Sequence, residues 1–380
     1  MKKNNSHIVD EFCELVRIDT KSRDERNIAN AVISKLKQIG FKVEEDHVGD
    51  IIGGNTGNIF AVLEGNTVGS IFFSSHLDRV ANGTSIRPII NDSCITSDGT
   101  TILAADDVSG IVAIIDGVRR IKESGKPHPR IEIVFTVCEE KGILGSKCFD
   151  FSKINSKFGY VLDSPGRIGR IVNAAPSKAE LRIEVSGKAS HAGNAPEKGA
   201  NAIIAASKIL ANIKDGRIDE ESTANFAIFK AGGDSTNVVC DYAEIVGEAR
   251  SLNQNKLKEY LQYFEEHCRL MSEGTNAKVK THSKILYSSF HIDEDKPSIN
   301  LMKHVLKKMN INAIVSRGGG GMDANHFNAH DIECVGLATG YTSNHSFNES
   351  IEIKDLILSG EMVGNIILEY NQLKIGEKEV

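Results

Sequence analysis

Apolar strand-like runs alternate with helical segments in the first part of the chain, and this order limits the fold more than any other feature. The run Ile131–Val137 (IEIVFTV) is almost wholly apolar, which is typical of a strand buried on both faces. Similar short runs are Asn58–Leu63, Ser70–Ser74 and one that ends at Leu162, and helical periodicity covers residues 7–19, 24–39 and about 107–123. This alternation predicts an α/β fold with a mostly parallel, mixed sheet flanked by helices.

The pattern changes near Ala174. Strands are predicted at Ala179–Ser186, Ala224–Ala231, Val238–Ala249 and Ala277–Tyr287, with helices over Lys198–Lys214 and about 253–271. This β-α-β-β-α-β order is typical of a ferredoxin-like α+β domain. From about residue 292 the helix–strand alternation returns, and because this segment carries His345 we expect it to complete the first sheet. The sequence therefore predicts one domain of residues 1–174 and 292–380, into which a domain of residues 175–291 is inserted.

Composition excludes several classes of function. The formal net charge is −6 and the pI about 6.1, with no basic stripe, so we expect no nucleic acid and no anionic membrane as a partner. Seven cysteines without a C-x-x-C spacing favour reduced thiols over disulfides or a thiolate zinc site. We also find no apolar run long enough to span a bilayer and no apolar signal core at the start. We expect a soluble, cytoplasmic protein.

Five short polar clusters carry the chemistry: His76-Leu77-Asp78, Asp106-Asp107, Glu139-Glu140, Asp163 and His345. Several of them end an apolar strand-like run, so several are expected to meet at one edge of the sheet. Two imidazoles and a handful of carboxylates are the ligands that two zinc-like cations with a bridging carboxylate require. Buried carboxylates repel one another unless a metal or a reaction uses them.

Each cluster also has a plainer explanation when it is taken alone. Asp78 either fixes the tautomer of His76 or merely caps a turn. In the pair Asp106-Asp107, at a helix start, one residue could bridge two cations while the other caps the helix. Asp163 and His345 resemble an ordinary turn residue and a solvated loop residue.

Glu139-Glu140 is more informative, because it follows a buried strand directly. Adjacent residues at a strand end point in different directions, so one of the two can bind a metal while its neighbour handles a proton.

The joint pattern resembles the co-catalytic zinc peptidases, the family that includes peptidase T, carboxypeptidase G, the aminoacylases and succinyl-diaminopimelate desuccinylase. The resemblance covers essentially the whole chain and is closest to the peptidase T-like branch. It rests on SSHLDRV, SDGTTILAADDVSGI, VCEEKGILGS, SHAGNAPEKGANAI, RGGGGMDANHF and GYTSNHSFNE. The resemblance implies a zinc-exopeptidase-like catalytic domain with an inserted lid, through which the chain could form a homodimer.

The resemblance also implies a role for each metal ligand. His76 and Asp163 would bind one zinc ion, Glu140 and His345 would bind the other, and Asp106 would bridge the two. Cobalt and manganese suit the same nitrogen and oxygen ligands, so the sequence leaves the identity of the metal open.

Two further residues would act in catalysis without binding a metal. Asp78 would orient His76. Glu139 would be the general base that takes a proton from the attacking water and returns it to the leaving amine.

Substrate contacts are implied mainly in the inserted domain. There the resemblance makes His191 the donor of a hydrogen bond to the tetrahedral oxyanion, often across a subunit interface. It also implies that Asn237 contacts the substrate and that Arg250 pairs with a substrate carboxylate. Without the resemblance, His191 fits a turn and Arg250 a charged strand equally well. The glycines that follow Arg317 could hold a carboxylate through backbone N–H groups, or they could form a flexible loop.

These observations predict a metallo-aminopeptidase that releases the N-terminal residue of short peptides, most simply tripeptides. A deacylase of N-acyl amino acids or a carboxypeptidase would share the metal site, and Thr342-Ser343-Asn344 before the last ligand departs from the usual peptidase T sequence, which leaves the substrate open. A catalytically inactive binding protein on the same fold is the remaining alternative. All five ligands and Glu139 are present, which disfavours it.

Overall fold

The structure is a computed structural model that describes residues 4–370. The chain divides into two compact units. Within the described residues, unit 1 comprises residues 4–175 and 291–370, and unit 2 is the continuous segment Pro176–Phe290. Each unit has its own cluster of buried apolar side chains.

The helices and strands are numbered along the chain. The helices are α1 (Asn4–Val16), α2 (Arg26–Ile39), α3 (Val48–Ile52), α4 (Ala105–Ser124), α5 (Leu144–Lys147), α6 (Ala202–Asn212), α7 (Gln254–Ser272), α8 (Pro297–Lys308), α9 (Ala324–Ala329) and α10 (Ile353–Glu369). The strands are β1 (Lys42–Glu45), β2 (Ile59–Leu63), β3 (Ser70–His76), β4 (Ile89–Ile90), β5 (Cys94–Thr96), β6 (Arg130–Thr136), β7 (Phe158–Ser164), β8 (Arg170–Ala175), β9 (Ser177–Ser186), β10 (Gly216–Arg217), β11 (Ser222–Ala231), β12 (Tyr242–Ser251), β13 (Lys278–Tyr287), β14 (Phe290–His291), β15 (Ile314–Arg317), β16 (Glu333–Ala338), β17 (Tyr341–Thr342) and β18 (Ser350–Glu352).

Unit 1 is built on a mixed sheet with the strand order β1-β2-β6-β3-β7-β16-β8-β14, and β15 also pairs with β8. The central pairs β6–β3, β3–β7 and β7–β16 are parallel. Antiparallel pairs flank this centre, between β1 and β2, β2 and β6, and β16 and β8. The central strands β3, β6 and β7 are buried along nearly their whole length, as the sequence predicts for a sheet that is covered on both faces.

Helix α4 packs against β3, β7 and α10, and its residues from Ala105 to Val118 are all buried. Two glycines allow this close approach. A Cβ atom at Gly110 would lie 2.3 Å from the carbonyl oxygen of Leu162, and one at Gly117 would lie 2.6 Å from the side chain of Val363. The position of α4 matters because its first turn carries Asp106.

Unit 2 has the predicted β-α-β-β-α-β order, and its antiparallel sheet runs β10-β11-β12-β9-β13. Alternate residues of β9 are buried, namely Ala179, Leu181, Ile183 and Val185, and they share one core cluster with residues of α6 and α7. Asn201 and Asn253 cap the two helices with their side chains. The predicted fold class, an α/β domain with an inserted ferredoxin-like domain, is confirmed.

Some predicted boundaries differ from the structure. The strand predicted at Val238–Ala249 begins only at Tyr242 and continues to Ser251, because Val238 pairs with His191 in an isolated bridge. A small sheet of unit 1, in the order β17-β18-β5-β4, follows no pattern that was recognised in the sequence. Within residues 4–370, no helix combines the length and the apolar character needed to cross a membrane.

Candidate metal centre

Three neighbouring parallel strands bring most of the candidate ligands to one edge of the unit 1 sheet. His76 is the last residue of β3, Asp163 lies next to the end of β7, and Glu139 and Glu140 follow shortly after β6. Because β6, β3 and β7 are adjacent and parallel, their carboxyl ends meet. Functional groups of α/β folds are usually placed at this edge.

Asp106 lies between two imidazoles. Its backbone is not helical (φ −82°, ψ 101°), although it lies in the first turn of α4, and its side chain is buried. Oδ1 lies 3.1 Å from Nε2 of His76, and Oδ2 lies 3.2 Å from Nε2 of His345. The two oxygens of one carboxylate therefore face two different histidines, as a carboxylate between two cations would.

Each histidine also faces a second carboxylate. Nε2 of His76 lies 3.8 Å from Oδ1 of Asp163, and Nε2 of His345 lies 3.0 Å from Oε1 of Glu140. Potential ligand atoms of His76, Asp106 and Glu140 all lie within 4.8 Å of one another. The structure thus brings together all five side chains for which metal binding is predicted, as two sets that share Asp106.

Asp78 holds the backbone of the segment that carries Glu139 and Glu140. Its Oδ1 accepts a hydrogen bond from the backbone N–H of Glu139 (2.8 Å), and its Oδ2 accepts from the N–H of Glu140 (3.2 Å) and from Ser22 Oγ (2.6 Å). Nδ1 of His76 donates to the backbone carbonyl of Asp78 at 3.0 Å. Because Nδ1 is held as a donor, Nε2 is the ring nitrogen that would offer its lone pair to a bound cation.

The Glu139 carboxylate is available for proton transfer. Among residues 4–370 no group donates a hydrogen bond to it, whereas its backbone is held by Asp78. Burial raises the pKa of Glu139 well above its ordinary value, and the nearby Asp323 adds to this increase. Ligand atoms of His76, Glu139 and Asp163 also lie within 4.8 Å of one another, so spacing alone does not separate a base from a ligand. The assignment of Glu139 as the base stays a prediction.

The shifted pKa values reflect how the imidazoles and carboxylates of this cluster interact. Hydrogen bonds to Asp106 and Glu140 raise the pKa of His345 to about 10. Burial alone would raise the pKa of Asp106, but hydrogen bonds from His345 and His76 reverse this and lower it. Burial and the nearby Asp107 raise the pKa of Asp163, and the more distant His76 imidazole offsets only part of this increase. Protonated imidazoles here supply charge that cations would otherwise supply.

The donor set fits divalent cations of the zinc class. It contains imidazole nitrogens and carboxylate oxygens and no thiolate, which suits zinc, cobalt or manganese. In addition, Oδ1 of the buried Asp107 has no hydrogen-bond partner in the described part of the chain, so the cluster holds more acceptor capacity than its protein donors satisfy.

Several residues that build the site were missed in the sequence. Asn344 donates a hydrogen bond to Oδ2 of Asp106 at 2.7 Å, and the Glu349 carboxylate binds backbone N–H groups beside Asp106. Glu25 is fully buried and accepts from the N–H of Cys138, next to Glu139. No local pattern marks Glu25 or Glu349, but the position of Asn344 directly before His345 was a usable signal.

The remaining candidates lie in unit 2. Nδ1 of His191 accepts hydrogen bonds from the N–H groups of Gly193 and Asn194, both at 3.1 Å, so Nε2 carries the proton in the neutral ring. The carbonyl of Asn237 accepts from the N–H of Ala192 at 2.9 Å, which brings the loops of His191 and Asn237 together. Arg250 lies apart from them, near the far end of β12.

The side chains of Asn237 and Arg250 both have partners within unit 2. Asn237 Oδ1 accepts a hydrogen bond from Ser235 Oγ. The Nε of Arg250 donates to Glu248 Oε1 at 2.7 Å, and its side chain is about a quarter exposed.

Two protein families match parts of the chain. Residues 173–274 match the peptidase dimerisation domain of the M20 class, which covers most of unit 2. Residues 58–198 match peptidase family M28, over a segment that contains four of the five candidate metal ligands.

Similar proteins cover nearly the whole chain. The crystal structure of aminopeptidase PepT from Bacillus cereus ATCC 10987 is 37% identical, with a TM-score of 0.89 over 97% of this chain and 99% of that one. A tripeptidase structure from Staphylococcus aureus subsp. aureus Mu50 is 30% identical, with a TM-score of 0.91 over 96% and 97% of the two chains. A peptidase T from Clostridium botulinum is 24% identical over 94% of this chain and 98% of its own length.

Proposed function

Because the chain belongs to the peptidase T-like family of metallopeptidases, we propose that it is an aminopeptidase that releases the N-terminal residue of tripeptides. It is a metal-dependent peptidase that acts on short peptides. The observation that carries hydrolysis at a two-metal centre is the position of Asp106, whose two oxygens face two different histidines at 3.1 and 3.2 Å. The choice of an aminopeptidase acting on tripeptides is supported by the likeness to the aminopeptidase and tripeptidase structures.

Two zinc ions fit the proposal best. His76 and Asp163 would hold one ion, Glu140 and His345 would hold the other, and Asp106 would bridge them. When bound, a pair of such cations lowers the pKa of water and polarises the scissile carbonyl. The pairing is supported by the contacts of His76 with Asp163 and of His345 with Glu140.

Glu139 would move the proton. Its carboxylate has no hydrogen-bond donor among residues 4–370, and its raised pKa suits a group that accepts a proton and then releases it. Glu139 would take a proton from the attacking water and deliver it to the nitrogen of the leaving amine. Asp78 would fix the direction of this side chain through the backbone N–H of Glu139.

Unit 2 would recognise the substrate. The protonated Nε2 of His191 is suited to donate a hydrogen bond to the oxyanion of the tetrahedral intermediate. Asn237 would contact the peptide, and Arg250 would pair with a carboxylate of the substrate, for which it would have to share its guanidinium with Glu248.

We further propose that two copies of the chain associate through unit 2. Support comes from the match of residues 173–274 to a dimerisation domain. β10 pairs only with the beginning of β11, as far as Ala224, so among the described residues the rest of β11 has an open edge. Exposed apolar side chains lie on β11 and on the first turn of α6, namely Ile203, Ile204, Ile228 and Phe229. An open edge with apolar neighbours is suited to pairing with a second chain.

A substrate panel tests the aminopeptidase proposal. The panel contains tripeptides with a free N-terminus, the same tripeptides with an acetylated N-terminus, dipeptides and N-acyl amino acids, with products identified by mass spectrometry. We expect cleavage of free tripeptides after the first residue and none of the acetylated ones. Cleavage of only the N-acyl amino acids would contradict the proposal, and so would release of the C-terminal residue.

A further inference from the structure

We propose that Glu349 is a positioning residue that fixes the Asp106 segment before any metal binds. The inference rests on the proposed function, since it takes Asp106 to be the bridging ligand. Glu349 follows His345 in the loop between β17 and β18, and nothing in its local sequence suggests that it acts on Asp106.

The contacts of Glu349 are unusually complete for one carboxylate. Oε2 accepts hydrogen bonds from the backbone N–H groups of Leu103 and Ala104, both at 2.8 Å, and Oε1 accepts from the N–H of Asp106 at 2.9 Å. The side chain is 1% exposed. One buried carboxylate thus holds three backbone groups in the segment that carries Asp106.

This segment requires such support because α4 has no cap of its own. The first N–H groups of a helix lack partners inside the helix. The N-cap position is occupied by Ala104, which has no side-chain acceptor and lies in the left-handed region at φ 61°. Asp106 itself departs from helical backbone angles (φ −82°, ψ 101°). Glu349, about 245 positions later in the sequence, supplies the acceptor that a serine or an aspartate at the N-cap would supply locally.

The same loop contacts the side chain of Asp106 as well. Asn344 Nδ2 donates to Asp106 Oδ2 at 2.7 Å, and His345 Nε2 lies 3.2 Å from the same oxygen. The loop therefore fixes the backbone of Asp106 through Glu349 and the direction of its carboxylate through Asn344. Both oxygens of Asp106 are therefore oriented by protein contacts, Oδ1 by His76 and Oδ2 by Asn344 and His345.

The variant E349Q tests the proposal, because glutamine keeps the shape but places an NH2 group among N–H donors. We compare hydrogen exchange of the Leu103, Ala104 and Asp106 amides in the metal-free protein, metal affinity by calorimetry with zinc alone, and kcat and KM for a tripeptide. We expect these amides to exchange at least about tenfold faster, because the NH2 group replaces one of the two acceptor oxygens and the remaining oxygen is no longer charged. Zinc affinity should fall roughly 10–100-fold, and kcat should fall far more than KM rises.

Glu132 provides the matched control. It is fully buried in β6 and accepts from Ser156 N–H (3.0 Å), Ser156 Oγ (2.7 Å) and Asn155 N–H (3.1 Å), outside the metal centre. It also accepts from Arg130 Nε at 2.8 Å, so E132Q removes an ion pair as well. E132Q should lower the melting temperature as E349Q does, but it should leave zinc affinity and exchange at 103–106 unchanged. A purely structural role for Glu349 would make the two variants alike, which would overturn the proposal.

A measurement on the unaltered protein decides the case if E349Q does not fold. The amides of Leu103, Ala104 and Asp106 should be protected in the metal-free protein, and exchange at the rate of an unstructured chain would overturn the proposal. Failure of the proposed function would look different. In that case peptides would not be cleaved by the unaltered protein, while the effects of E349Q on exchange and zinc affinity would persist.

Discussion

Asp78 and Glu349 act on the site in the same way, although they lie in different parts of the chain. Each is buried and each accepts hydrogen bonds from the backbone of a segment that carries candidate catalytic groups. Hydrogen bonds to a charged acceptor are stronger than neutral ones. Since both acceptors bind the backbone N–H groups of Glu139, Glu140 and Asp106 and not their side chains, they fix where these residues lie while leaving their carboxylates free to act.

Exchange of Glu139 for glutamine should separate catalysis from metal binding. E139Q removes the proton acceptor but none of the proposed ligands, so we expect loss of turnover by at least about 10²-fold with two metals still bound. The measurements are tripeptide hydrolysis and metal per chain by elemental analysis. E140Q is the control, for which we expect loss of metal as well as of turnover. Activity in E139Q, or a loss of metal from it, would show the assignment to be wrong.

The free energy of unfolding at acid pH should depend on Glu45, which lies on the edge strand β1 of the unit 1 sheet. Hydrogen bonds from Arg26 lower the pKa of Glu45 to about 2 from 4.5, and Thr56 and Gly57 contribute. A lowered carboxylate pKa stabilises the fold fully above about pH 4.5 and loses that effect as the pH falls toward 2. Because the side chain is 29% exposed, solvent screening reduces the contribution to about 1–2 kcal/mol.

We therefore expect E45Q to unfold at lower urea concentration than the unaltered protein at pH 7, with a difference that shrinks below pH 4.5. The control is E14Q, which removes a carboxylate that is more than half exposed and pairs with Lys35. Its effect should be small at every pH. An E45Q difference that grows as the pH falls would contradict the linkage.

The individual site residues could be predicted where they follow a strand. His76, Glu139 and Asp163 stand at or near the ends of apolar runs, and the topology of a parallel sheet brings such ends together. Glu25 and Glu349 could not be predicted in this way. They bind backbone N–H groups that lie 113 and about 245 positions away in the sequence, and no local pattern records such a contact.

At the scale of elements, a buried arginine ties α1 to the strand that carries His76. Nη1 of Arg79 donates to the carbonyl of Val16 at 3.0 Å and to that of Gly83 at 3.2 Å, and Nη2 donates to Leu15 at 2.9 Å. Arg79 is 1% exposed. It therefore satisfies carbonyls at the C-terminal end of α1, which have no partners within the helix.

R79M should destabilise the protein by about 2–4 kcal/mol, because methionine keeps the apolar stem but removes the donor to the Val16 carbonyl and one of the two donors to the Leu15 carbonyl. Thermal unfolding followed by circular dichroism measures the change. Arg87 is the control, since its side chain is 82% exposed and its ion pair with Asp98 is long, at 3.8 Å. If R79M and R87M melted alike, the anchoring role of Arg79 would be refuted.

The kinds of element were easier to predict from the sequence than their limits. The helix expected over about 107–123 is α4. Its bounds begin at Ala105, but Asp106 and Asp107 have non-helical backbone angles, so the regular helix begins close to the predicted residue. The strand expected from Val238 begins at Tyr242, because Val238 pairs with His191 instead. Apolar periodicity indicates which residues are buried, but it does not indicate with which group a backbone N–H or carbonyl forms its hydrogen bond.

At the scale of the whole molecule, association through unit 2 gives a further prediction. I204E and F229E place charge on exposed apolar positions of α6 and β11, so each should shift a dimer toward monomer in analytical ultracentrifugation. I51E is the control, because Ile51 is 70% exposed in unit 1 and should leave the association state unchanged. A monomeric unaltered protein, or dimers of undiminished stability in both variants, would exclude this surface.

The order of strands in unit 1 has a consequence for synthesis on the ribosome. β16 lies between β7 and β8, although it leaves the ribosome after the whole of unit 2. Until then the nascent sheet has a gap in its middle rather than a missing edge, and neither His345 nor Glu349 has been added. Unit 2 is a continuous segment and can fold in the interval. Premature termination anywhere before β16 would therefore leave Asp106 and Glu140 without the His345 imidazole that faces both of them. Such fragments should be substrates for chaperones rather than weak enzymes.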